Sequence, residues 1–181
     1  MVTIKIPNSL SVLITELADS LLSIFAPLNC VVEKVEENIE FAYNPVRKQY
    51  DAEKVLIRLK RITQTEFRVL GIVLVDLYVQ GLNFVFGLAE CPGKAALISL
   101  YRLRPEFYGE PRDKRILFER MMKEAVHELG HTFALKHCPE KSCVMHFSNS
   151  ILDIDVKEKE FCPLCKEKLK RTLKKHKMKL I

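Results

Sequence analysis

Apolar positions change their spacing several times along the chain, and each change marks an element. Val2, Ile4 and Ile6 alternate with polar residues and predict a strand over 2–6. Asn8 or Ser9 can cap a helix whose Leu10, Leu13, Leu17, Leu21 and Ile24 recur at helical spacing, with Pro27 beyond its end. Residues 30–35, CVVEKV, predict a second strand. After a loop around Pro45, QYDAEKVLIRLKRIT mixes Ala, Glu, Lys and Leu, which predicts a helix over 49–63. Residues 68–77 are rich in branched side chains and read as a buried strand. Residues 83–88 and 94–100 predict two more strands, joined by AECPG, whose Pro92 and Gly93 make a turn. A long helix follows Pro111. Beyond it lie short loops, cysteines and a terminal helix.

Strands and helices in this order predict an α/β (α+β) fold, a mixed twisted sheet with helices packed on it. The chain has 181 residues, 48% of them hydrophobic, enough for a sizeable core. The longest apolar runs, Leu70 to Leu77 and Leu82 to Leu88, are strand-sized, so no membrane span is expected. MVTIKIPNSL lacks the pattern of a signal peptide, and a cytoplasmic protein is the expectation.

The net charge of +6 is local. Residues 166–181 hold eight Lys or Arg against one Glu, net +7, so the remainder sums to −1. Such a tail can attract polyanions or simply be a solvated helix end. No stretch interleaves aromatic with basic residues, so nucleic-acid binding is not the expected main function.

Six cysteines are present. Cys30 and Cys91 are isolated and read as buried thiols. Cys138 with Cys143, and Cys162 with Cys165, form two close pairs whose spacing suits a metal better than disulfides.

His127, Glu128 and His131 spell H-E-x-x-H. On a helix, histidines four apart project side by side and can share a metal, with the glutamate placed to deprotonate a metal-bound water. Counting about 100° per residue from Phe118, the apolar Met122, Val126, Leu129 and Phe133 fall at roughly 20–80°. His127 and His131 fall at roughly 180° and 220°, opposite that stripe. Taken alone, the motif is also compatible with ordinary histidines on a helix surface. His137 changes the picture. A continuing helix would carry it about 9 Å beyond His131, so the chain must turn back for a third ligand. Three histidines leave one open zinc position, the catalytic arrangement.

HELGHTFALKH resembles the metzincin signature H-E-x-x-H-x-x-G-x-x-H, with His127, Glu128, His131 and His137 in the matching places. Ala134 stands where that clan has the glycine that makes the turn. A left-handed alanine costs about 1 kcal/mol, much less than metal binding contributes.

Cys138, Cys143, Cys162 and Cys165 would complete a tetrahedral, closed and therefore structural site. On this reading the chain changes metals between residues 137 and 138. The subdomains are 1–137, with the active-site helix, and 138–181, with the four-cysteine site and the basic helix. HCPEKSCVM followed by CPLC resembles the archaemetzincins, peptidase family M54; FSNS at 147–150 is similar as well. The resemblance implies two Zn2+ per chain, one catalytic and one structural, with Met145 in the turn beneath the catalytic zinc. It also implies a zinc metallopeptidase with Glu128 as general base and a peptide or protein as substrate. An edge strand would bind that substrate, and Phe84, Val85, Phe86, Gly87, Leu88 and Ala89 are its candidates. His146 reads as a surface histidine in preference to a proton donor. The alternative is a two-zinc structural or interaction module with weak or no turnover; a carboxylate beside an open metal position favours the enzyme.

Overall fold

The computed structural model describes residues 2–6, 11–26, 28–34, 38–62 and 67–177. The cap foreseen at Asn8 or Ser9 lies outside these residues, as does the side chain of Cys30. Strands β1 (Val2–Ile6), β2 (Cys30–Lys34), β5 (Arg68–Val73), β7 (Gly87–Ala89) and β8 (Ala95–Ser99) form one sheet in the order β2-β1-β5-β8-β7. Four run parallel, and β7 closes one side antiparallel to β8. Short strands β3 (Tyr43–Asn44), β4 (Gln49–Asp51) and β6 (Leu77–Tyr78) make a second, three-stranded sheet. The mixed sheet expected from the sequence is the architecture observed.

Strand alternation divides the core between two faces. Leu70, Ile72, Ala96 and Ile98 face a large core built with helix α1 (Ser11–Ile24) and helix α3 (Lys114–Thr132). Val69, Ala95 and Leu97 face the other way, against Val55, Leu56 and Leu59 of helix α2 (Ala52–Ile62). Val144, Met145, Ile154, Phe161 and Leu169 join the α1–α3 core, so the segment after α3 packs on the same apolar centre as the segment before it.

Three elements differ from the sequence reading. The helix expected from residue 49 starts at Ala52, because Gln49–Asp51 pairs with β6 and Tyr50 N–H donates to the Asp76 carbonyl at 2.8 Å. Asp51 then caps the helix through Glu53 and Lys54 N–H. The long strand over 68–77 ends at Val73, and Leu77–Tyr78 leaves for the second sheet. The strand expected over 83–88 is regular only at Gly87–Ala89. Its start is drawn away by Arg47, which donates to the carbonyls of Leu82 and Asn83 at 2.8 and 2.9 Å. A six-residue helix, α4 (Ile151–Val156), went unforeseen because it is too short to show a period. Ser150 and Asp153 form its capping box. Helix α5 (Pro163–Lys177) is the terminal helix expected. No helix among the described residues is long and apolar enough to cross a membrane.

Candidate active site

Helix α3 packs against β8 and β7, so its last turns lie beside the open edge of the sheet. The helix is not half exposed: Met121, Met122, Ala125, Val126 and Leu129 are buried on one side, and Arg120, Glu124, His127 and Glu128 are buried on the other. It ends in a Schellman motif, with Ala134 N–H donating to the His131 carbonyl and Leu135 N–H to the Gly130 carbonyl. Ala134 holds φ at +67°, the left-handed conformation that brings the chain back. His137 therefore returns toward the helix instead of continuing away from it. One ring nitrogen each from His127, His131 and His137 can be chosen so that all lie within 4.8 Å of one another.

The donor chemistry fits a cation. His127 Nδ1 lies 2.8 Å from the Val144 carbonyl and His131 Nδ1 lies 2.7 Å from the Leu135 carbonyl. A carbonyl only accepts, so both Nδ1 atoms carry hydrogen. Burial holds His127 well below the ordinary imidazole range, with Lys157 and His131 adding to the effect. Burial lowers His131 as well. Both rings are thus neutral near pH 7, and their bare Nε2 lone pairs face each other at 3.1 Å. Two acceptors at that distance repel unless a cation sits between them. Ligands about 2.0–2.1 Å from a tetrahedral zinc lie roughly 3.3 Å apart. The two backbone carbonyls fix tautomer and orientation, as partners of metal-bound histidines do.

Glu128 is buried one residue after the first histidine, against β7. A Cβ on Gly87 would lie 2.7 Å from Glu128 Cγ and Oε1, so glycine there makes room for the carboxyl. Burial pushes the Glu128 carboxyl well above the usual range, Glu124 adds to that, and Lys157 opposes it. A dication beside it would draw it back toward carboxylate. Met145 is fully buried against α3, where a Cβ on Gly130 would meet its Sδ at 2.5 Å. The glycine inside HELGH admits this methionine.

The four paired cysteines gather separately, with their sulfurs within 4.8 Å of one another. Cys138 and Cys162 sulfurs are 3.8 Å apart, far beyond a disulfide bond. That is the edge of a tetrahedron with metal–sulfur bonds of about 2.3 Å. Burial raises the Cys143 and Cys165 thiols, and a cation is what would let the four ionise together. Cys138 N–H donates to the Met145 carbonyl at 2.9 Å, which ties this cluster to the segment whose Val144 carbonyl meets His127.

Residues 19–171 match the sequence profile of peptidase family M54. The chain belongs to that family. It is a zinc metalloprotease. An archaemetzincin from Pyrococcus furiosus is 52% identical over 134 residues, 73% of this chain and 70% of the relative. The crystal structure of an archaemetzincin from Methanopyrus kandleri superposes with a TM-score of 0.85 at 38% identity, covering 96% of each chain. That of a zinc-dependent peptidase from Methanocorpusculum labreanum gives 0.81 at 31% identity, covering 93% of this chain and 100% of the other.

Within this M54 peptidase, Ala134→Gly is expected to stabilise the fold by up to about 0.5 kcal/mol. Relief of the left-handed strain exceeds glycine's entropic cost by that much. Thermal unfolding with unchanged zinc content checks it. Cys91 corrects the buried-thiol reading: it is exposed at the rim of the cleft, its sulfur 3.7 Å from the Leu135 carbonyl. His146 is half-buried, and its Nδ1 lies 3.0 Å from the Cys138 carbonyl, where it braces the link between the two clusters. Sequence reasoning missed Glu124 and Lys157, a buried ion pair of 2.8 Å in the cleft wall. Glu124 sits one helical turn before Glu128, which was a usable signal; Lys157 lay hidden in the charged run VKEKE.

Proposed function

We propose that His127, His131 and His137 hold a catalytic zinc, that Cys138, Cys143, Cys162 and Cys165 hold a second, structural zinc, and that Glu128 is the general base. The observation that carries this reading is the convergence of three imidazoles with a buried carboxyl beside them. A zinc held there supplies a Lewis acid for the scissile carbonyl and a water of lowered pKa. Glu128 accepts the proton that the water sheds as its oxygen joins the carbonyl carbon. It returns the proton to the amide nitrogen as the C–N bond breaks. Met145 packs under the histidines and orients them without ligating. The division at residues 137/138 then separates chemistry from its support. Zinc thiolates suit a reducing compartment, which supports a cytoplasmic location.

The substrate lies extended along β7. Ser99 N–H donates to the Phe86 carbonyl and Glu90 N–H to the Ala95 carbonyl, so residues 86, 88 and 90 turn their backbone toward β8. By alternation, Gly87 and Ala89 turn theirs toward the open edge. Those groups can pair with a peptide strand. Ala89→Pro is expected to weaken peptide affinity by roughly 3- to 10-fold, the worth of one hydrogen bond, while zinc content holds. Unchanged KM would place the substrate elsewhere. Zinc content per chain, together with cleavage of an unbiased peptide library, tests the whole reading. Two zincs with cleavage support it; two zincs without cleavage favour the structural-module alternative.

A further inference from the structure

Two of the three histidines are oriented by the backbone, and the third is not. The Val144 and Leu135 carbonyls hold Nδ1 of His127 and His131 at 2.8 and 2.7 Å. His137 is exposed, and its ring has no hydrogen-bond partner among the described residues. The backbone around it is pinned on both sides. Leu135 N–H donates to the Gly130 carbonyl at 3.2 Å, and Cys138 N–H donates to the Met145 carbonyl at 2.9 Å. What stays free is rotation about the two side-chain bonds of His137. Water can hydrate the second ring nitrogen in any of those rotations, so solvent selects none of them.

Phe147 is placed to make that selection. Its ring centroid lies 4.9 Å from that of His137, with the two planes at 58°. The other rings against His137 are those of His127 at 5.4 Å and His131 at 4.9 Å, its fellow donors. Among the described residues, Phe147 is therefore the ring at His137 that is not itself a donor. The chain that carries Phe147 is fixed before and after it. His146 N–H donates to the Cys143 carbonyl at 2.8 Å, and His146 Nδ1 lies 3.0 Å from the Cys138 carbonyl. Two residues on, Asn149 N–H donates to the Asp153 carboxylate at 3.0 Å, at the cap of α4. Phe147 is nevertheless 45% exposed. A single exposed apolar side chain is ordinary on a protein surface, but this one packs on the only one of the three imidazoles that lacks a carbonyl partner. An aromatic pair in such a tilted arrangement is attractive beyond the area it covers.

We propose that Phe147 is a positioning residue that holds the His137 imidazole in its zinc-binding rotation, the task that backbone carbonyls perform for His127 and His131. The inference rests on the zinc reading of the three histidines. A histidine has three staggered settings at its first side-chain bond and a broad, roughly two-fold choice at the second. Affinity falls in proportion to the fraction of time a donor is in place, so Phe147→Ala is expected to weaken the histidine-held zinc by about 3- to 10-fold. Phe147→Tyr keeps the ring and should keep the wild-type affinity. A competitive zinc chelator is titrated against zinc-loaded wild type and both variants. The step missing from His131→Ala belongs to the histidines, and the cysteine-held zinc serves as the internal control. Only the histidine step should shift in Phe147→Ala. A residue that merely supports the fold would weaken both steps together, and that result overturns the proposal. So does an unchanged histidine step in Phe147→Ala, or an equal shift in Phe147→Tyr. A wild type with no step that His131→Ala removes has no histidine-held zinc; the zinc reading then fails, and the role of Phe147 fails with it.

Discussion

Glu128→Ala is expected to lower kcat/KM by about 10²–10⁴-fold, the usual contribution of a general base, while both zincs remain bound. The two effects separate because the seven proposed ligands are histidines and cysteines, and Glu128 is none of them. Its carboxyl lies against the Gly87 backbone, beside the edge where a peptide would pair. Losing it removes the proton carrier without removing a donor to the metal. Glu128→Gln makes the sharper comparison, since it keeps volume and hydrogen bonding and loses only basicity. Equal losses in kcat for both variants, with little change in KM, identify proton transfer as the missing function. Activity retained within a few-fold in Glu128→Gln would remove Glu128 from the chemistry. Zinc analysis and steady-state kinetics on the same preparations give both readouts.

Cys162→Ser carries the other large effect. It should cut bound zinc from two to one per chain and lower the unfolding temperature sharply, since structural zinc sites contribute roughly 10–16 kcal/mol of apparent binding energy in small domains. The damage should also reach the histidines. Cys138 N–H holds the Met145 carbonyl, and the preceding Val144 carbonyl holds His127 Nδ1 at 2.8 Å. Loosening the cysteine cluster therefore releases the partner that orients the first histidine. Loss of such a partner typically costs 10- to 100-fold in metal affinity. A competitive zinc chelator, titrated against wild type and variant, measures this directly. Unchanged thermal stability with two zincs retained would show that the cysteines do not hold a metal.

The legible and illegible parts of this molecule divide by the range of the signal. Spacing within one helix placed His127, Glu128 and His131 together, and the arithmetic of helix rise required a turn before His137. Ala134 at +67° is that turn, made with a residue that sequence rules disfavour there. The buried strands β5 and β8 announced themselves by composition. What escaped notice depends on contacts between distant segments. Gln49–Asp51 is a strand only because Leu77–Tyr78 lies beside it. Residues 82 and 83 leave the strand because Arg47 holds their carbonyls. Lys157, in a run of charges, is buried because Glu124 waits across the interface. Gly87 read as one residue of an edge strand, and only the position of Glu128 gives its missing side chain a purpose.

The most direct test of the account is an anomalous diffraction map collected at the zinc edge from crystals of the wild-type chain. It should show two peaks, one surrounded by His127, His131 and His137 and the other by the four cysteines. His137 turned away from the first peak, or a single peak in the cysteine cluster alone, would contradict it.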